Sequence, residues 1–218
     1  MNNDINKLFI VPLSEEFDLK LYDTLSLLIS TDKKAKLDNY KSDIDKKLGL
    51  YADLLVRAAI HQDLNIENND IVFGVDSYGK PLLENNRDYR FNISHTHNMI
   101  AVAISNNPVG VDVEKIRESD HRIEKRFFAE HELKYIYKSQ DNTNERFFEI
   151  WTKKEAYIKY TGKGLSVPLY SFDVTDKSLS VHFYTVRYGK YIINICHTQS
   201  QSFQSMLNDT SFLSFRRQ

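Results

Sequence analysis

The chain has 218 residues, of which 41% are hydrophobic and 27% charged, and its formal net charge is −1. This composition supports a buried core in one large or two small domains. It argues against a general nucleic-acid or membrane-surface binder, because any basic site must be local. The single cysteine, Cys196, excludes an internal disulfide framework; within the apolar run YIINICH it reads as a buried bystander. The N-terminal stretch MNNDINKLFIVPL lacks the basic and long apolar regions of a signal peptide. No stretch reaches the ~20 apolar residues of a membrane span, so the expectation is a soluble cytoplasmic protein.

In chain order, KLFIVPL (7–13) reads as a strand and 14–30 as a helix capped by Ser14. Residues 32–64 carry a helical pattern, one short helix and one long one. A strand with a turn at Ser77–Pro81 follows in IVFGVDSYGKPLL. YRFNIS (89–94) and MIAVAIS (99–105) are strands joined by a turn from His95 to Asn98, and Asn106–Pro108 is a break. Then come a strand in VGVDVEKI (109–116), helical patterns over 120–128, 129–139 and 144–162, and strands in VPLYSFDV, LSVHFYTV and GKYIINIC. The Ser- and Gln-rich tail shows no clear pattern. Strand, helices, strands, repeated once, predicts an α+β fold of two halves meeting near Asn106–Pro108, with boundaries at 1–106 and 107–218.

Two acidic motifs stand out. In VGVDVEKI, Asp112 and Glu114 share one strand face, about 7 Å apart; either that face meets water or a cation sits between them. In WTKKEAYIKYTGKG, Trp151, Glu155 and Lys159 share a helix face, and Gly162 is placed to cap the helix. Glu155 and Lys159 alone fit an exposed ion pair, and His95 alone fits a turn histidine bonded to backbone. Together the three acids suit a hard cation such as Mg²⁺. Lys154 and Lys159, with His95, Lys80, Lys33 and Lys36 near element ends, suit phosphate oxygens. There is no GxxxxGK[ST] loop, which argues against a P-loop enzyme, and the His and Cys spacing is wrong for zinc.

The segments YGKPLL, RFNISHTHN, VGVDVEKI, KRFFAEHEL and WTKKEAYIKYTGKGLSVPL, in that order, resemble the 4′-phosphopantetheinyl transferases of the monomeric surfactin-synthetase-activating (Sfp-like) class. The likeness runs from about Lys33 to about Phe172. It implies two similar α+β halves related by a pseudo-twofold axis, with coenzyme A in the cleft between them. It also implies transfer of the 4′-phosphopantetheine arm to a serine of an apo acyl or peptidyl carrier protein, releasing adenosine 3′,5′-bisphosphate.

By the same resemblance Asp112, Glu114 and Glu155 are the Mg²⁺ ligands, with Mn²⁺ as an alternative ion. Lys159 and His95 contact the reacting phosphates and, with Glu155, form the catalytic set. Ser94, Gly79, Lys80, Lys33, Lys36 and Lys154 join them in binding coenzyme A. The serine proton goes to Glu155 or to a water on the metal. Trp151 packs the helix that presents Glu155, and Glu132 matches a family glutamate without an assigned role. Lys163, Leu165 and Tyr170 are candidate carrier contacts. Thr96 stands where many relatives carry serine, and Gly49 where some carry a hydroxyl. Two other readings use some of the same residues. A Mg²⁺-dependent phosphoester hydrolase would turn over without a protein acceptor. A non-catalytic coenzyme A or carrier-binding module would have little reason to keep Asp112, Glu114, Glu155 and Lys159 together.

Overall fold

Alternating apolar side chains set the layers of the molecule, a computed structural model that describes residues 5–119, 124–198 and 203–207. Strand β1 (Asn6–Pro12) turns Phe9 and Val11 to one face and Leu8 and Ile10 to the other, and all four are buried. Helix α1 (Leu19–Ser26) starts at Asp18, whose carboxylate accepts the Leu21 amide at 3.0 Å. The expected cap, Ser14, lies outside the helix: its carbonyl and hydroxyl accept from Lys47 Nζ at 2.8 and 3.1 Å, so a buried lysine claims them. Helices α2 (Thr31–Asp38) and α3 (Asp43–Leu64) are the short and long helices expected.

Strands β2 (Phe73–Val75) and β3 (Pro81–Leu83) form a hairpin. Strands β4 (Arg90–Thr96) and β5 (Met99–Ser105) form another, and β6 (Val109–Lys115) follows. The β4–β5 turn is tighter than expected. His95 belongs to β4 and pairs with Ile100, while His97, at φ 46°, makes the reversal with Asn98. Helices α4 (Glu124–Phe127), α5 (Glu130–Ile136) and α6 (Thr143–Thr161) come next; the expected helix start at 120–123 lies outside the described residues. Gly162, at φ 71°, caps α6 as its sequence position predicts. The segment 167–174 is not the expected strand. It makes a short 3-10 turn at Leu169–Ser171, with the Ser171 amide and hydroxyl both bonding the Pro168 carbonyl. Strands β7 (His182–Tyr188) and β8 (Tyr191–His197) pair as a hairpin, and β9 (Gln204–Leu207) returns to lie parallel to β1.

The result is an α+β fold with two main sheets, β4-β5-β1-β9 and β6-β8-β7. Phe9, Val11, Ile100, Val102 and Ile104 face a core built with α3. Leu8, Ile10, Met99 and Ala101 on the opposite face pack against Val109, Val111, Val113, Ile193 and Ile195 of the second sheet. Helix α6 covers the outer face of that sheet, where Ile192 joins Phe147 and Ile150. Its approach depends on Gly110. A Cβ there would lie 2.0 Å from the Ala156 carbonyl oxygen and 2.3 Å from the Tyr160 nitrogen, both backbone atoms that cannot swing aside. Gly110→Ala should therefore lower stability by about 3 kcal/mol, read as an earlier urea-unfolding midpoint; an unchanged midpoint would mean that α6 does not press on β6.

Candidate active site

The two sheets are sewn together along one edge by side chains. Asn92, Ser94 and Thr96 alternate on β4 and share one face. Asn92 Oδ1 accepts the Val111 amide at 2.7 Å, Ser94 Oγ accepts the Val113 amide at 3.3 Å, and Thr96 Oγ1 donates to Glu114 Oε2 at 3.3 Å. The edge of β6 away from β8 thus finds its acceptors on the other sheet. A polar residue at every second position of RFNISHT was the sequence signal for this seam.

At its centre Lys159 Nζ donates to Asp112 Oδ1 at 2.7 Å and to Ser94 Oγ at 2.9 Å, while the Ser94 hydroxyl donates to Asp112 Oδ1 at 2.8 Å. Asp112 is only 6% exposed, and its other oxygen, Oδ2, is buried without a hydrogen-bond partner among the described residues. A buried carboxylate oxygen without a partner is costly and implies a missing cation or donor. Glu155, one helical turn before Lys159, has its carboxyl pushed above the usual range, first by burial and then by Asp112; Glu114 adds to the push and Lys159 opposes it. Glu114 also meets Arg117 at 3.1 Å. Among the described residues no three His, Cys, Asp or Glu side chains are already gathered to hold a metal ion. The donor set, three mutually repelling carboxylates with an unpartnered buried oxygen, nonetheless fits a hard divalent cation.

His95 projects from the opposite face of β4, beside Phe91 and Ile93, into a groove of about 500 Å³ that Tyr40, Ser42 and Asp45 also line. The surrounding protein and then Lys159 lower the imidazole pKa. Lys33 and Lys36 line a second cavity of about 330 Å³, with Phe73, Phe91 and Ile93. Burial lowers the Lys33 ammonium, and Asp53, 3.9 Å away, opposes that shift. Asp53 is in turn held by Arg57 at 2.7 Å, a buried pair that the sequence reading missed. Gly79, at φ 83°, makes the turn that sends Lys80 inward.

Two of the expected phosphate contacts make bonds inside the protein. Lys80 Nζ donates to the Val109 and Lys159 carbonyls at 2.9 and 2.6 Å, pinning the β2–β3 turn to β6 and α6, and burial lowers its pKa to about 8. Lys154 is fully buried on another face of α6 from Glu155 and Lys159. It donates to Glu132 Oε1 at 2.7 Å and to the Phe172 carbonyl at 2.6 Å, with its ammonium 4.3 Å from the Phe172 ring centroid. Glu132 also accepts the Ala129 and Val174 amides at 2.7 and 2.8 Å, so this pair ties α5, α6 and the 172–174 segment together. Burial raises the Glu132 carboxyl and lowers the Lys154 ammonium, and their contact opposes both shifts. Trp151 packs against Phe127, Phe128 and Phe147, the structural place expected for it.

Residues 14–107 match the family model described as 4′-phosphopantetheinyl transferase, N-terminal, and residues 108–209 match that of the 4′-phosphopantetheinyl transferase superfamily. The 4′-phosphopantetheinyl transferase gsp of Aneurinibacillus migulanus is 40% identical over 169 residues, 76% of this chain and 70% of that protein. The chain belongs to the 4′-phosphopantetheinyl transferase superfamily. The 4′-phosphopantetheinyl transferase Sfp of Bacillus subtilis (strain 168) is 35% identical over 164 residues, 75% of this transferase and 71% of the relative. A more distant likeness reaches the L-aminoadipate-semialdehyde dehydrogenase-phosphopantetheinyl transferase of Saccharomyces cerevisiae, 24% identical over 223 residues, 89% of this chain and 82% of the other. Among the described residues of the transferase no helix is long and apolar enough to cross a membrane.

Lys154→Met should strand Glu132 as an unpaired buried charge and cost about 3–5 kcal/mol of stability, while coenzyme A affinity of the folded transferase stays unchanged. Urea unfolding and calorimetric titration check this. A direct role on phosphate would show the reverse, with stability kept and affinity lost.

Proposed function

We propose that this chain moves the 4′-phosphopantetheine arm of coenzyme A onto a serine of an apo acyl or peptidyl carrier protein and releases adenosine 3′,5′-bisphosphate. The carrying observation is the seam between β4 and β6, where a chain of this family holds Asp112, Glu114, Glu155 and Lys159 around an unpartnered buried carboxylate oxygen. Residues 1–106 form the coenzyme A side and 107–218 the metal and carrier side, with β9 returning to the first sheet. The protein acts in this reading as a cytoplasmic monomer.

Asp112, Glu114 and Glu155 hold Mg²⁺ or Mn²⁺, which when bound neutralises the diphosphate and stabilises the departing bisphosphate. Lys159 supplies a positive charge at the reacting phosphate, and its place in the seam keeps that charge partly out of water, where it acts more strongly. His95 offers a ring N–H to a phosphate oxygen. The serine proton goes to Glu155 or to a water beside the ion. Lys33 and Lys36 face the remaining phosphate from the rim of their cavity. Positioning does much of the work in phosphoryl transfer, and the Ser94 hydroxyl fixes both Asp112 and Lys159. For the carrier, Lys163 and Tyr170 are exposed, and Tyr170 borders a cavity of about 510 Å³ with Arg126 and Phe127. Cations beside an apolar hollow suit an acidic partner. Leu165's side chain lies outside the described set.

Intact-protein mass spectrometry of an apo carrier protein incubated with coenzyme A and Mg²⁺ should show the gain of one phosphopantetheine. EDTA should abolish it, and Glu155→Ala should slow it by about a hundredfold or more. Coenzyme A breakdown without an acceptor would instead mark a hydrolase, and binding without either change would mark a non-catalytic module.

A further inference from the structure

Lys159 is assigned above to the reacting phosphate, yet its ammonium lies against a proposed metal ligand. Asp112 Oδ1 carries two hydrogen bonds, from Lys159 Nζ at 2.7 Å and from the Ser94 hydroxyl at 2.8 Å. Asp112 Oδ2 carries none among the described residues but is shut away from solvent. One oxygen is covered and the other is out of reach, so neither can receive an ion from solution unless Lys159 moves. Lys159 is free to do so, since its side chain is 28% exposed against 8% for Asp112. Its backbone stays fixed, because the Lys159 carbonyl accepts from Lys80.

We infer that Lys159 is the resident counter-ion of the carboxylate cluster and that it makes metal entry depend on the diphosphate. This inference rests on the metal-site reading above. A lysine ammonium and a divalent cation compete for the same oxygen, Asp112 Oδ1, which the ammonium holds at 2.7 Å. A diphosphate offers Lys159 new anionic partners. Once the ammonium turns to them, Asp112 is released to the metal, which then neutralises the charge that the diphosphate has brought in. The ion therefore binds weakly to the protein alone and tightly with coenzyme A present. The same lysine serves both occasions: it neutralises the site before the substrate arrives and the phosphate afterwards.

The test is Mn²⁺ binding to the purified full-length protein without coenzyme A, read by electron paramagnetic resonance of the free ion, with circular dichroism to verify folding. Lys159→Met should tighten Mn²⁺ by about tenfold, the scale set by removing a charge about one ion-pair distance away. Lys159→Gln serves as a second neutral variant should the methionine protein fold poorly. Lys159→Arg keeps the competing charge and should bind Mn²⁺ as weakly as the parent. Asp112→Asn in the Lys159→Met background should abolish the gain. If the neutral variants bind no more tightly than the parent while Asp112→Asn still weakens the parent's binding, the counter-ion role is overturned and the metal site stands. If Asp112→Asn changes nothing in either background, the metal-site reading fails and this inference fails with it.

Discussion

The active-site geometry depends on one close approach, the backbone of α6 lying on Gly110 of β6. No other residue would admit the Ala156 carbonyl and the Tyr160 amide at 2.0 and 2.3 Å from a Cβ position. Asp112 follows two residues later on the same strand face, and Lys159 precedes Tyr160 on the helix. Their contact at 2.7 Å is a consequence of that approach. From the other side, β4 supplies hydroxyls and an amide oxygen to β6 instead of a continued ladder, so the edge of one sheet is satisfied by the side chains of another. The seam is therefore held by fixed backbone on one side and short side chains on the other, which leaves Lys159 as its long movable member.

The charges around the seam divide by mobility. Lys80 and Lys154 are cations fixed by backbone carbonyls and, for Lys154, a buried glutamate. In the chain alone, one joins the β2–β3 turn to α6, and the other joins α5 to α6. Lys33, Lys36 and Lys159 keep some contact with solvent or a cavity and can exchange partners. A phosphate-rich ligand is met more readily by the second kind, because a lysine that already donates two of its protons inside the protein must give up those bonds to turn to a phosphate.

Much of this was legible in the sequence because it rests on local periodicity. The alternation in VGVDVEKI put Asp112 and Glu114 on one face, the four-residue spacing put Glu155 and Lys159 on another, and Gly162 marked the helix end. What was not legible depended on partners far away in the chain. Lys154 sits beside Glu155 in sequence, but a helix turns about 100° per residue, and only the position of Glu132 decides that the lysine faces inward. Lys80 looked like a free turn lysine until the fold placed two carbonyls within its reach. Ser14 had the chemistry of a cap but was claimed by Lys47, and 167–174 had a strand's composition but no strand beside it to pair with. The return of β9 to β1 needed a register that a Ser- and Gln-rich tail does not advertise. Gly110 is the exception: a glycine inside an apolar strand is itself a mark of close backbone approach.

Neighbouring residues of α6 thus take opposite tasks. Lys154 looks into the protein and makes the helix rigid through Glu132, whereas Glu155 looks into the seam with its carboxyl raised by burial and by Asp112. The first arrangement sustains the second. A carboxylate forced close to two others lowers its free energy by moving away, and it stays only if its helix cannot shift. The buried ion pair, the aromatic packing of Trp151 and the Gly110 contact all resist that shift. The stability of α6 is what keeps the three like charges together, and the proposed cation site depends on their staying so.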